Sequence, residues 1–197
     1  MYYSLSHINR SSVFMLRICI SGYTCSGKTT LGDKLAKELN VLHVTKHITP
    51  TYKRVMKDAE MHSTRKNIIM ETSHKKYAAD FDREIVELAK KNNCVVTTWL
   101  GPWLVKDATM RIWLYGSLEE RGRRYAKREH IGLFKAEEIV DEEDKLNRSQ
   151  FKKLYKINLD DHRGEFDLEI NTDRLNQKEI IALISTLAIG KEKRRFR

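Results

Sequence analysis

The chain has 197 residues, a formal net charge of +10 and a hydrophobic content of 41%. This length and apolar content suit a single domain with its own core. The positive charge favours an anionic partner such as a nucleotide phosphate, a nucleic acid or a membrane surface. No apolar run approaches the roughly 20 residues of a membrane span. The three cysteines are scattered and form no C-x-x-C pair, which argues against a disulfide framework or a zinc site and favours a reducing compartment, the cytoplasm.

Residues 1–14 are polar and contain no Asp or Glu. We interpret them as a short disordered extension, or as the product of an upstream start codon with Met15 as the functional beginning. An acid-poor transit peptide is the alternative.

A phosphate-binding loop follows the first predicted strand. The segment GYTCSGKT, from Gly22 to Thr29, fits the pattern G-x-x-x-x-G-K-[ST]. The apolar run 16–20 precedes it as a buried strand, and leucines spaced four residues apart follow it as one face of a helix. Strand, loop and helix therefore stand in the order that the motif requires, and the loop N–H groups with the helix N-terminus predict a polyphosphate site.

The loop assigns the nucleotide-binding residues by position. Lys28 is predicted to reach the terminal phosphates as a catalytic residue, and the hydroxyl of Thr29 to ligate Mg²⁺. The complete predicted nucleotide-binding set is Gly22, Tyr23, Thr24, Cys25, Ser26, Gly27, Lys28, Thr29 and Thr30.

A short strand at 41–44 leads into a polar, basic segment, 46–75, that contains the helix breaker Pro50. In a phosphotransferase this segment would close over the acceptor. Lys53 and Arg54 are its candidate acceptor-phosphate ligands, although each alone is more often a solvated surface charge.

The β-branched run 94–98 predicts a central parallel strand. Ligands of α/β sheets bind beyond the carboxyl ends of the strands, so the residues that follow this run should line the site. Trp99 and Trp103 are candidates for a wall against the acceptor base, and ordinary aromatic packing is an equally good interpretation.

An arginine-rich helix follows the next predicted strand, 110–115. Arg121, Arg124 and Arg128 are spaced i, i+3 and i+7 and therefore share a face. Beside a phosphate-binding loop they would clamp the transferring phosphate oxygens as catalytic residues; a solvated basic face is the alternative. A lid is expected at 129–136, followed by a long charged helix, 136–156, on which Arg148 could also reach the phosphates.

The remaining chain predicts a strand at 166–170, a final helix and a basic tail, 190–197. The tail is a weak indication of nucleic-acid contact that we do not favour. The predicted fold class is α/β: a P-loop three-layer sandwich with a central parallel five-stranded sheet, a helical acceptor-binding insertion and a lid. The kinase domain is expected to span 15–189.

Several stretches resemble the archaeal-type cytidylate kinases, which are small members of the nucleoside monophosphate kinase fold. The resemblance runs from Met15 to about Leu187. The matching stretches are ISGYTCSGKTTLGDKLAKEL, FDREIVELAKKNN, SLEERGRRYAKRE, YKINLDD and FDLEINTDR. The phosphate-binding loop is common to many families, whereas the arginine helix with the later Tyr155, Asp160-Asp161 and Asn171-Thr172 is more specific.

The resemblance implies transfer of the γ-phosphoryl group of ATP, with Mg²⁺, to a pyrimidine nucleoside monophosphate, with cytidylate first. It adds Arg83 to the expected substrate-binding residues. Where the family carries an acidic residue, a glycine and an arginine at the end of the third strand, this chain has Thr97, Thr98 and Trp99. The alternatives are therefore a P-loop kinase of another small acceptor, or a slow ATPase that acts as a nucleotide-regulated, RNA-associated binding protein.

Overall fold

The computed structural model describes residues 15–48, 72–161 and 164–194. Lys53 and Arg54, predicted to bind the acceptor, lie outside the described residues. The elements in chain order are β1 (Arg17–Gly22), α1 (Lys28–Glu38), β2 (Leu42–His43), α2 (Thr72–Lys91), β3 (Cys94–Val96), α3 (Gly101–Leu104), β4 (Met110–Tyr115), α4 (Leu118–Glu129), α5 (Leu133–Tyr155), β5 (Leu168–Asn171) and α6 (Gln177–Arg194). Residues 44–48 are also helical and continue directly from β2.

The five strands form one parallel sheet in the order β2-β3-β1-β4-β5. This confirms the predicted five-stranded parallel sheet. Cys19 of β1 pairs with Val96 on one side, and Gly22 pairs with Leu114 on the other. Because β1 is central, the loop that follows it lies in the middle of the carboxyl edge, where ligands of such sheets bind.

Helices cover both faces of the sheet, because successive strand residues point in opposite directions. Ile18 and Ile20 of β1 pack in one buried cluster with α1 and α6. Cys19 packs in the other cluster, which includes residues of α2. The side chains of all three strand residues are fully buried, so the near-continuous apolar strand predicted from the sequence serves two cores at once.

Helices α4 and α5 form a hairpin beside the sheet. Tyr125 of α4 packs with Ala136 and Val140 of α5 in a third cluster. The two helices approach closely at Gly122, where an added Cβ would lie 2.5 Å from Cγ of Glu137. The close approach places the arginines of α4 and the inward face of α5 on the same side of the phosphate-binding loop.

Several predicted boundaries were wrong. Helix α5 begins at Leu133 rather than at 136, so the link after α4 is only 130–132, shorter than the expected lid. His130 ends α4 in the left-handed conformation, and Gly132 caps α5. Strand β3 ends at Val96, and an unpredicted turn of helix follows, with a proline in its first turn, a position that proline favours. Helix α6 continues through residues 190–194, which the sequence assigned to the tail.

Candidate active site

The phosphate-binding loop turns at two glycines that no other residue could replace easily. Gly22 has a φ of 144°, and an added Cβ would lie 2.1 Å from the carbonyl oxygen of Leu114. Gly27 has a φ of 97° and caps the N-terminus of α1. The turn is closed by a hydrogen bond from the Ser26 N–H to the Tyr23 carbonyl, 3.1 Å. The first N–H groups of α1 have no partner within the helix, so they are available to an anion.

A cavity of about 540 Å³ opens above this loop. Its lining comes from three parts of the chain. These are the loop and first helical turn (Cys25, Ser26, Gly27, Lys28, Thr29, Thr30), the arginine helix (Arg124, Arg128), and the segment from the end of β5 into α6 (Thr172, Leu175, Asn176, Gln177, Ile180), with Leu31 and Leu114 completing it. Six predicted nucleotide-binding residues, 25–30, therefore line the cavity.

Lys28 is folded back onto its own loop. Its ammonium donates to the carbonyl oxygens of Gly22 and Tyr23, both at 2.7 Å, and lies 4.7 Å from the ring centre of Trp99. Burial lowers the pKa of Lys28 to about 8, against the opposing effect of the Asp144 carboxylate. An arriving phosphate would replace the two carbonyls as the partner of this half-buried cation.

Arg124 and Arg128 reach the cavity from α4. Arg124 donates to the Thr172 side-chain oxygen at 2.9 Å and to the Thr172 carbonyl at 2.8 Å, and this anchors it against the end of β5. Arg128 stacks 4.8 Å from the ring centre of Tyr125 and pairs with Glu129 at 2.6 Å. Its side chain is 60% exposed, so Arg128 is the freer of the two to follow a phosphoryl group.

Arg121, predicted to clamp phosphate together with them, is not among the residues that line this cavity. Its guanidinium is buried and donates to the Asp144 carboxylate at 2.6 Å, to the Thr24 carbonyl at 3.0 Å and to the Gly116 carbonyl at 3.1 Å. The other Asp144 oxygen accepts from the Thr24 N–H at 2.9 Å. Arg121 and Asp144 thus hold the phosphate-binding loop at Thr24 from behind.

A second group of predicted residues lies at the end of β3. The Trp99 carbonyl accepts from the Ser21 hydroxyl at 2.7 Å, which fixes the residue beside β1. Its ring packs edge-on against Tyr23 at 6.4 Å and tilts against Phe151 of α5 at 5.9 Å. Trp99 therefore lies next to Lys28. Trp103, in contrast, packs against Phe166 at 5.4 Å, which favours ordinary packing for this residue.

The threonines before Trp99 stand where the family pattern has an acidic residue and a glycine. Thr97 is buried, and its hydroxyl forms a 2.9 Å hydrogen bond with Nε2 of His43. Its N–H donates to the Thr45 hydroxyl at 2.9 Å. Burial lowers the pKa of His43, and the Asp33 carboxylate, 3.9 Å from Nδ1 of the ring, opposes that shift.

Arg148 and Arg83 differ in position. The Arg148 guanidinium lies 5.0 Å from the ring centre of Tyr23 and pairs with Asp160 at 2.9 Å. Arg148 and Trp99 therefore share Tyr23 as a neighbour. Arg83 is largely exposed and pairs with Asp80 on its own helix, so the described residues do not draw it into the site.

Magnesium has a limited but suitable donor set. Among the described residues no cluster of three or more His, Cys, Asp or Glu side chains could hold a metal ion. Thr29 is exposed and lines the cavity. Mg²⁺ commonly keeps several waters and shares the phosphates of its nucleotide, so one hydroxyl beside a phosphate site fits it.

Glu143, which the sequence did not single out, is a half-buried carboxylate. Burial and Asp144 raise the pKa of Glu143, while Lys28 and Arg128 lower it.

The sequence reasoning also missed Asp144, and it singled out Thr172 and Tyr155 without their contacts to Arg124 and Asp82. Each acts on a residue far away along the chain, and Asp144 meets Thr24 across 120 residues.

No described helix is long and apolar enough to cross a membrane.

Sheet order, glycine loop and flanking arginines together define a P-loop kinase. Residues 17–174 match the model of the cytidylate kinase-like family, and the chain belongs to that family. This membership and the kinase fold identify it as a nucleoside monophosphate kinase.

Relatives cover most of the chain. The chain is 32% identical over 169 residues to a cytidylate kinase of Thermococcus kodakarensis, and the match covers 86% of each of the two proteins. It is 34% identical over 176 residues to a cytidylate kinase of Sulfurisphaera tokodaii, covering 85% of this chain and 92% of that one. A solved gluconokinase from Sinorhizobium meliloti superimposes with a TM-score of 0.58 at 16% identity, over 93% of this chain and 97% of that one, which supports the fold alone.

Proposed function

We propose that the protein transfers the γ-phosphoryl group of ATP to a pyrimidine nucleoside monophosphate, with CMP as the preferred acceptor. The observation that carries the proposal is the cavity that joins the phosphate-binding loop to Arg124 and Arg128. The two relatives named cytidylate kinases support the choice of acceptor.

In the proposed reaction an oxygen of the acceptor phosphate attacks the γ-phosphorus of ATP. The bond from that phosphorus to the β–γ bridging oxygen breaks, and the electron pair leaves with ADP. Such transfer needs positioning and neutralisation of charge more than covalent catalysis. The loop N–H groups and Lys28 would hold the donor phosphates, and Arg128 would follow the moving group. The Thr29 hydroxyl would hold Mg²⁺, which would supply positive charge to the nucleotide phosphates.

The acceptor phosphate needs a cation, because Trp99 stands where the resemblance places an arginine. Arg148 is the proposed replacement, since it lies over Tyr23 on the Trp99 side of the loop. Its ion pair with Asp160 joins side chains that are 33% and 57% exposed. A pair this exposed is weak and can yield to a phosphate.

The test is ADP formation by the full chain with ATP, Mg²⁺ and a panel of nucleoside monophosphates. We expect turnover with CMP or UMP and little with AMP or GMP. ADP formation that does not depend on any acceptor would refute the proposal and favour a slow ATPase. Lys28→Ala should abolish transfer without unfolding the protein, and normal turnover of that folded variant would contradict the donor-site assignment.

A second candidate is a kinase of a small acceptor that carries a hydroxyl and no phosphate. The observation in its favour is Trp99, whose ring occupies the end of β3 beside Lys28. Turnover with a small hydroxylated acceptor such as gluconate or shikimate, and with none of the monophosphates, would select this candidate.

A further inference from the structure

One face of α5 carries a row of side chains that leads away from the phosphate-binding loop. Arg148, Phe151 and Tyr155 are spaced i, i+3 and i+7, so they share this face. Phe151 packs against Trp99 at 5.9 Å and against Tyr155 at 6.2 Å. At about 1.5 Å per residue the row from Arg148 to Tyr155 spans roughly 10 Å, the length scale of one nucleotide.

The row ends at a hydrogen bond between two helices. The Tyr155 hydroxyl donates to Oδ2 of Asp82 on α2 at 2.8 Å, across 73 residues of sequence. Both side chains are half-buried. Burial raises the pKa of Asp82, and the hydrogen bond from Tyr155 opposes that rise. Among the described residues Tyr155 is the one hydrogen-bond partner shown for this carboxylate, and an ionised carboxylate can accept several hydrogen bonds.

The proposed function gives this row a direction. The reacting phosphate must lie at Lys28, whose ammonium stands over Trp99. An acceptor that follows the row from this point places its base towards Phe151 and Tyr155. Its Watson–Crick edge would meet the Asp82 carboxylate at the end.

We propose that Asp82, oriented by Tyr155, reads the base edge of the acceptor and selects cytosine over uracil. Cytosine presents an amino group at that edge, and a carboxylate accepts a hydrogen bond from it. Uracil presents a carbonyl oxygen at the same place, and two oxygen acceptors repel each other. This inference rests on the proposed function, because it names the group that would make CMP the preferred acceptor.

The experiment measures kcat/KM of the full chain with CMP and with UMP. Asp82→Asn should lower the CMP to UMP ratio by about tenfold, the scale of one well-placed base contact, while KM for ATP stays unchanged. Glu87→Gln is the matched control, because Glu87 is an exposed carboxylate on the same helix that pairs with Lys90. The control should keep the wild-type ratio.

A second variant covers the case in which Asp82→Asn does not fold. Tyr155→Phe keeps the ring against Phe151 but removes the donor that orients Asp82, so the ratio should fall severalfold. If Asp82→Asn folds, an unchanged CMP to UMP ratio in that variant would overturn the inference. If only Tyr155→Phe folds, an unchanged ratio in Tyr155→Phe would overturn it. Either result would leave the kinase function in place. A wild-type protein that phosphorylates neither CMP nor UMP would overturn both.

Discussion

The Asp144→Asn substitution tests whether a buried ion pair supports the phosphate-binding loop. The side chains of Arg121 and Asp144 are only 8% and 2% exposed. Removing one partner of a buried pair costs about 3–5 kcal/mol, because the other charge stays buried without compensation. Asparagine can still accept from the Thr24 N–H, so we expect the lower limit, about 3 kcal/mol.

For a chain of this size, 3 kcal/mol corresponds to a fall in melting temperature of about 6–12 °C. Thermal unfolding followed by circular dichroism measures it. Asp141→Asn is the control, because Asp141 lies on the same helix in a surface pair with Lys145. Such a pair contributes under about 0.5 kcal/mol. Equal melting temperatures for the two variants would refute the reasoning.

A double variant separates stability from loop positioning. Arg121→Met with Asp144→Leu removes both charges, and such replacements are often close to neutral for stability. Thr24, however, loses the partners of its N–H and its carbonyl. We therefore expect a melting temperature above that of Asp144→Asn, together with a raised KM for ATP. A normal KM for ATP would mean that the pair stabilises the fold without positioning the loop.

Three further predictions concern the same site. Lys28 in the free enzyme should lose its proton as the pH rises through its lowered pKa of about 8, so kcat/KM for ATP should fall on the alkaline side; a flat profile there would contradict this. Gly32→Ala should destabilise by about 1–3 kcal/mol, because the new Cβ would lie 2.2 Å from Cγ2 of Thr97. A Cβ added at Gly190 meets nothing within 4 Å, so Gly190→Ala is the control for Gly32→Ala in thermal unfolding. Equal stability of these two variants would exclude the clash. Arg128→Ala should lower kcat more than it raises KM, and steady-state kinetics showing a change in KM alone would make Arg128 a ground-state ligand.

The conformation of the phosphate-binding loop was predictable because its signals are local. A buried strand, a loop with glycines at Gly22 and Gly27, and a helix with leucines every four residues all lie within about 25 residues of sequence. The backbone conformation at both glycines requires the residue type. The parallel sheet was predictable in the same way, from apolar runs separated by helical periodicity.

The arginine helix shows where local reasoning ends. Spacing correctly placed Arg121, Arg124 and Arg128 on one helix, but it could not show which guanidiniums are free. That depended on Asp144, which lies 23 residues from Arg121 and binds it in the interior. Helix periodicity relates neighbours one or two turns apart and carries no information about a partner on another helix.

The sequence by itself determined a phosphate-binding loop and the class of sheet, because short-range backbone geometry dictates those residue types. Only the tertiary structure decided which arginine supports the loop and which ones face the cavity. It also decided that Trp99 stands beside Lys28, and that Asp82 meets Tyr155. Those facts depend on how α2, α4 and α5 pack against the sheet, and packing joins residues that no local pattern connects.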